Sequence, residues 1–410
     1  MRTINYFIII LLFISCQDKD ETALQESCEG DYSTGGILTD IDEKIFNFYT
    51  LVMRTINYFI IILLFISCQD DTVNEISENQ HTSSIISGVD ISDYPKVSSY
   101  NPTFYDENNN EIGFINSLIQ NGVNTIRLRL WVNPVDESSS LEEVKEFSNE
   151  LKSLGFKIWV TPHFSDTWAH PGQQQTPSDW SSLSFEELKN QVYTYTSQIM
   201  SEINPDYIQI GNEINTGILF PHGRIADNQD QFVELVNEGV NAVRNSSTNA
   251  KIILHCAGFE SSNWFFNIVN QVDYDVIGIS YYPWWHGKSL DDLQNQLSSL
   301  SINFEKEILI AETSYPFTLG WNDWTNNNVG SEEHLILPEY PASPQGQKDF
   351  IRDIKNLVFE VNNGIGFCYW GADRIAWDGE TSTNGSTWEN QAVFDFENKE
   401  LPVLQEFDIN

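Results

Sequence analysis

From residue 85 onward, eight short apolar runs recur along the chain, and amphipathic stretches separate most of them. The runs cover 87–92, 125–131, 157–163, 207–212, 251–255, 276–281, 308–313 and 366–370. Between them, 141–154, 185–203, 231–244, 290–304 and 345–361 place apolar residues at helical spacing. A strand followed by a helix, repeated, builds a parallel sheet, because parallel neighbours need a crossover between them. Eight such units close the sheet on itself. The expected fold is therefore α/β, a (β/α)8 TIM barrel, with 85–410 as a single domain. The span is longer than the roughly 250 residues of a typical barrel, so long loops should follow the strands.

The ends of the runs carry a second pattern. They finish in Asp90, Arg129 and Trp131, His163, Asn212 and Glu213, His255, Tyr281, Glu312, and Trp370. The C-terminal strand ends are where barrels of this kind hold their active sites. Glu213 ends the fourth run and Glu312 the seventh, so both carboxyls can enter one cleft. Hydrolysis of a glycosidic bond uses such a pair. One carboxyl is protonated and helps the leaving oxygen depart, and the other is ionised and attacks the anomeric carbon. Glu213 is the expected acid/base and Glu312 the expected nucleophile. A strand-end salt bridge is the alternative for either one alone.

Other strand-end residues are candidates for holding a sugar. Asn212 is placed to bond a sugar hydroxyl. Arg127, Arg129 and Trp131 alternate onto one face of their strand. Arg129 is nearer the mouth and is expected to keep Glu312 ionised, with Arg127 as a barrel-interior ion pair. Tyr281 is expected to donate to Glu312. His163 and His255 read as site architecture. Of the 12 tryptophans, Trp168, Trp284, Trp285, Trp321, Trp324, Trp370 and Trp377 fall at strand ends or in the loops after them. Indoles stack on the apolar faces of sugars, and Trp370 is the expected floor. Loop packing is the alternative reading for the others.

Composition narrows the substrate. With 21 basic and 59 acidic residues, the formal charge is −38. Nucleic acid needs Lys and Arg to displace its counterions, so that class is excluded, and a neutral polymer is the easier substrate. Five cysteines, at positions 16, 28, 68, 256 and 368, show no metal-binding spacing, and Cys256 and Cys368 are expected as buried free thiols.

The front of the chain holds an exact duplication: residues 1–18 and 53–70 are identical. Each copy has an arginine, an apolar run too short to span a membrane, and a small residue before a cysteine. Ser15-Cys16 and Ser67-Cys68 resemble bacterial lipoprotein cleavage sites. On that resemblance 53–68 is a lipoprotein signal, 69–84 a polar tether, and 1–52 a duplicated or misplaced extension. The mature chain is then expected outside the cytoplasm, on the outer membrane or cell surface of a Gram-negative bacterium, anchored only by lipid at Cys68 or Cys16. It is expected as a monomer.

Longer strings carry a resemblance to a known family. Gly88-Val89-Asp90-Ile91-Ser92, Arg127-Leu128-Arg129-Leu130-Trp131 and His163-Phe164-Ser165-Asp166-Thr167-Trp168 resemble glycoside hydrolase family 53. So do Gln209-Ile210-Gly211-Asn212-Glu213, Ser280-Tyr281-Tyr282-Pro283 with Trp285-His286-Gly287, Glu312-Thr313-Ser314-Tyr315 and Trp388-Glu389-Asn390-Gln391. The resemblance implies a retaining endo-β-1,4-galactanase acting on galactan side chains of pectin. It adds Asp166 to the substrate-binding candidates. It departs at Phe164, His170 and Gly371-Ala372, which puts chain-length preference in doubt. No organic cofactor is required. Some relatives bind structural calcium after strand seven, where Asn322, Asp323 and Asn326 to Asn328 supply oxygens here; the expected reading is a solvated polar loop, with calcium as the alternative. A β-glycanase for glucan, mannan or xylan would keep the same glutamates. A non-catalytic glycan-binding lipoprotein would have lost one of them.

Overall fold

The computed structural model describes residues 85–247 and 249–409. The expectations for 1–52, 53–68 and 69–84, with Cys16 and Cys68, lie outside the described residues. Eight parallel strands form a closed barrel: β1 Ile86–Asp90, β2 Thr125–Leu130, β3 Lys157–Pro162, β4 Tyr207–Gln209, β5 Lys251–Ala257, β6 Val276–Ser280, β7 Glu307–Thr313 and β8 Gly364–Trp370. Each pairs with its neighbours in sequence, and β1 pairs with both β2 and β8 to close the ring. All the described residues belong to one compact unit.

Seven helices cross between the strands: α1 Phe114–Gln120, α2 Leu141–Ser153, α3 Phe185–Glu202, α4 Ile225–Ser246, α5 Ser262–Ile268, α6 Leu290–Phe304 and α7 Pro344–Glu360. Their starts are written in the sequence. Ser140, Ser184, Ser289 and Ser343 each accept a bond from a first-turn amide, and Ser184 with Glu187 forms a reciprocal capping box. Each helix buries one stripe against the barrel. On α3 that stripe is Leu188, Val192, Ile199 and Met200. Fully burying each Leu, Val or Ile there contributes about 1.5–3 kcal/mol. Short α5 follows β5 through a segment with no clear helical period, so the sequence did not announce it.

The alternation of side chains along each strand divides the core in two. Outward residues such as Ile126, Ile158, Ile208, Ile277 and Ile308 pack under the helices. Inward residues, including Ile86, Trp159, Tyr207, Ile253, Val276, Leu309 and Cys368, fill the barrel itself. This phase decides which strand-end residues can face the cleft above. Five expected strands end early, the second and third by a single residue. The fourth stops at Gln209, because Gly211 and Glu213 both turn to positive φ. The sixth stops at Ser280, and the first starts one residue early and stops two residues early, at Asp90. Cys256 and Cys368 are buried free thiols.

Candidate active site

A cleft of about 700 Å³ opens over the C-terminal strand ends. Glu213 and Glu312 both line it. Each reaches it by a local departure from regular strand. After β4 the chain turns through Gly211 at φ 78°, where an added Cβ would lie 2.5 Å from the Ile214 side chain. Glu213 then adopts φ 48°, ψ 56°, a left-handed conformation that costs a non-glycine residue about 1–3 kcal/mol. The surroundings hold it there. Gln174 Nε2 donates to the carbonyls of Asn212 and Glu213, and the Glu213 amide donates to His255 Nδ1.

Glu312 depends on a bulge. In β7, Leu309 and Ala311 face the barrel interior, so strict alternation would send Glu312 outward. The register slips instead. Ile279 pairs with Ile310, yet Ser280 pairs with Glu312, so β7 holds one extra residue. The same slip appears against β8. A bulge re-aims the side chains beyond it, and this one turns Glu312 into the cleft.

The two carboxyls have different surroundings. Arg127 is almost wholly buried and forks between Asp90 at 2.6 Å and Glu312 Oε1 at 2.7 Å, and it also donates to Asn212 Oδ1. Tyr282 donates to Glu312 Oε2 at 3.1 Å. Glu213 touches no cation. Its Oε1 accepts from Ser280 Oγ at 2.6 Å. Burial raises the pKa of both carboxyls. For Glu312 the Arg127 guanidinium leads the opposition to that rise, against a smaller push from Asp90, whereas for Glu213 the Glu312 charge adds to it and Ser280 and Arg127 offset it less. The pair therefore titrates as a unit that gives up its first proton from Glu312 and keeps its second on Glu213.

The hydrogen-bond directions place that second proton. Burial and the Arg127 charge hold His255 neutral. Its Nδ1 faces the Glu213 amide and the Gln209 side-chain amide as well as Asn212 Oδ1, and the fixed backbone N–H of Glu213 decides for the proton on Nε2. Nε2 then donates to Ser280 Oγ at 2.8 Å, so the serine must donate onward to Glu213 Oε1. The acidic proton is left on Oε2.

Aromatic rings wall the cleft. Trp168 meets Trp370 edge to face at 6.0 Å, Trp370 meets Trp388 at 4.7 Å, and Trp388 stacks on Trp285 with centroids 6.0 Å apart. Guanidinium groups that also line the cleft brace the wall. Arg129 lies 4.3 Å from the Trp131 ring and 4.1 Å from the Trp168 ring, and Arg374 lies 4.7 Å from Trp370. Both arginines pair with Asp93. Neutral His163 lines the same cleft, its Nδ1 receiving the Ala169 amide and the Trp131 indole.

Asp90, Arg129, His163, Trp168, Asn212, Trp285 and Trp370, all expected from the sequence, line the cleft with the two glutamates. Four expected residues do not. Trp131 stands behind Arg129. Asp166 accepts bonds from Asn133 and Ser178 and braces its own loop. His255 lies beneath Glu213. Tyr281 is fully buried on the outward phase, where its hydroxyl donates to Gly287 O. Two partnerships are also corrected: the cation on Glu312 is Arg127, not Arg129, and the donor is Tyr282, not Tyr281. Sequence reasoning passed over Ser280, Tyr282, Arg374 and Trp388 as site residues. Strand parity marks the first two, since Val276 faces inward and so must 278, 280 and 282.

The loop after β7 is solvated on one side only. Asp323, Thr325, Asn327 and Val329 turn inward in alternation while their neighbours face out. Asp323 Oδ2, Asn327 Oδ1 and Glu389 Oε2 are buried without a hydrogen-bond partner. Unpaired buried oxygens of this kind are the donor set a hard cation takes. Among the described residues, no group of three or more His, Cys, Asp or Glu converges as a metal site.

Comparison with known proteins decides the family. The model of glycosyl hydrolase family 53 matches residues 86–407. The chain belongs to that family. An arabinogalactan endo-β-1,4-galactanase of Cellvibrio japonicus is 32% identical, over 77% of this chain and 89% of its own. An endo-β-1,4-galactanase of Bacillus subtilis is 30% identical, over 78% and 85%. The solved family 53 catalytic domain of Ignisphaera aggregans superposes with a TM-score of 0.74 at 39% identity, covering 80% of this chain and 96% of that one. This family 53 member is a glycoside hydrolase with the barrel of its solved relatives.

Proposed function

We propose that this chain hydrolyses β-1,4-linked galactan within the chain, with retention of configuration. The observation that carries the reading is the asymmetric pair: Glu312 held by Arg127 and Tyr282, and Glu213 held by Ser280 without a cation. The galactanase names of the Cellvibrio and Bacillus relatives support the substrate.

In this reading the Glu312 carboxylate attacks the anomeric carbon as the glycosidic C–O bond breaks. The proton on Glu213 Oε2 passes to the leaving oxygen. A galactosyl ester forms on Glu312. Glu213, now ionised, takes a proton from water, the water oxygen displaces Glu312, and both carboxyls return to their starting states. Asn212 and His163 bond the sugar hydroxyls, and Trp370 lies under the ring. Asp323, Asn327 and Glu389 would hold a calcium ion that ties together the loops after β7 and β8, with no part in bond breaking. The lipoprotein-like strings ending at Cys16 and Cys68 support a lipid anchor at the cell surface.

Incubating the protein with linear β-1,4-galactan, glucan, mannan and xylan tests the substrate. Short oligosaccharides from galactan alone are expected. Cutting of a different β-glycan instead of galactan would overturn the substrate while leaving the glutamates in place. Proton NMR of the first-formed sugar tests the stereochemistry: the β-anomer is expected, and the α-anomer would make Glu312 a base for water.

A further inference from the structure

A second groove, of about 640 Å³, adjoins the cleft. Pro171 lines both. The groove is built from the loops after β3, β4 and β5, and its lining includes Asn215, two residues beyond Glu213. The rim is fixed. Thr216 Oγ1 donates to Pro171 O at 2.6 Å, and Asn215 Oδ1 receives the amide of Ala257, itself a cleft residue. Trp264 stands in the groove, 53% exposed, although the next two aromatics of α5, Phe265 and Phe266, are fully buried. Arg224 is the one charged side chain among the described lining residues, and it lies over Phe220 with Asp227 at 3.7 Å.

The side of the cleft on which this groove lies decides what can occupy it. The acid gives its proton to the leaving oxygen, so the leaving half of the substrate must run past Glu213. The groove's lining begins at Asn215, two residues past Glu213, and takes nothing from β7, β8 or the loops after them, which carry Glu312 and Trp370. Its lining is apolar surface with amide and hydroxyl groups and little charge, which suits a neutral sugar chain.

We infer that this groove binds the leaving-side stretch of the galactan chain, with Trp264 as its stacking platform. The inference rests on the galactanase reading. It makes Trp264 a residue that sets where along a chain the enzyme cuts, by holding sugars beyond the one next to the scissile bond.

The test compares wild type, W264A and W264F on long galactan and on an aryl β-galactobioside, whose one-ring leaving group is too short to fill the groove. W264A should lower kcat/KM on galactan about tenfold, the scale of one aromatic contact, and leave the aryl substrate unchanged. W264F should recover most of the loss. On reducing-end-labelled oligosaccharides, W264A should release fewer long labelled fragments. Unchanged kcat/KM and an unchanged product pattern would overturn the inference, and so would an equal loss on both substrates. Should W264A fail to fold, A226R crowds the groove from an exposed position and must give the same substrate-dependent loss. If wild type does not cut galactan, the substrate reading fails by itself, and the same comparison on the β-glycan it does cut decides the groove.

Discussion

The hydroxyl of Ser280 donates to Glu213 Oε1 at 2.6 Å, and the serine's own proton is directed there because His255 Nε2, 2.8 Å away, occupies the other side of its oxygen as donor. The bond favours the ionised form of Glu213 and partly offsets the rise caused by burial and by Glu312. Removing it in S280A should move the alkaline limb of kcat/KM to higher pH, because Glu213 must be protonated to act as the acid. It should also free Glu213 to rotate and lower kcat by about tenfold. A pH profile of S280A beside wild type checks both. An alkaline limb that stayed in place would mean that another group sets it.

The same raised pKa makes Glu213 a source of instability. Its folded pKa lies near 8, against an ordinary value of 4.5. Between those values the folded chain holds a proton that the unfolded chain has released. Stability from this group is therefore greatest at low pH and declines as pH rises toward 8. E213Q keeps the shape and the Ser280 contact but never ionises. It should melt a few degrees above wild type at pH 8, with the gap closing toward pH 4.5. Melting curves across that range read it directly. A constant difference at all pH values would show that Glu213 is not the titrating group.

The barrel was legible because its signal is repeated in every strand and helix, so errors at single ends did not matter. The positions of Glu213 and Glu312 were legible because strand ends converge by topology. The partners were harder. Arg129 looked nearer the mouth, but Asp93 and Ser139 hold its fork, and the deeper Arg127 meets Glu312. Tyr281 is the expected donor by its place at the strand end, but parity along β6 sends 281 outward and 282 inward. The bulge in β7 was invisible, since Ile308 to Thr313 reads as an uninterrupted apolar run ending in polar residues. The alternation of Asp323, Thr325 and Asn327 is a strand-like period inside a loop, which polarity alone conceals.

Arg127 joins Asp90 and Glu312 in one buried network, so its loss leaves two carboxylates without their cation. Breaking a buried pair on one side costs about 3–5 kcal/mol, and R127M should lose stability on that scale in urea unfolding. R127K keeps the charge but not the fork, and it cannot hold both carboxylates at Arg127's distances. With less cationic support, Glu312 should ionise at a higher pH, so the acid limb of the R127K activity profile should move upward. A limb unmoved in R127K would detach Arg127 from the ionisation of Glu312.

The loops after β7 and β8 are linked by backbone bonds from Trp324 to Ser382 and from Asn328 to Thr387, and by the side chain of Asn390 to Thr318 and Val329. Between these links lie Asp323 Oδ2, Asn327 Oδ1 and Glu389 Oε2, buried and without partners. Each such orphaned oxygen costs about 1–3 kcal/mol, more when charged, unless something bonds it. Under the calcium proposal these oxygens are its ligands. Wild-type protein treated with a chelator should then melt at a lower temperature and recover on adding calcium, because a ligand that binds only the folded state raises stability with its concentration. N327A should melt lower than wild type and no longer respond to calcium. Since Asn328 and Thr387 line the cleft beside these loops, chelation should also weaken galactan binding, read as a rise in KM. A wild-type melting temperature indifferent to both chelator and calcium would leave the three oxygens to buried water.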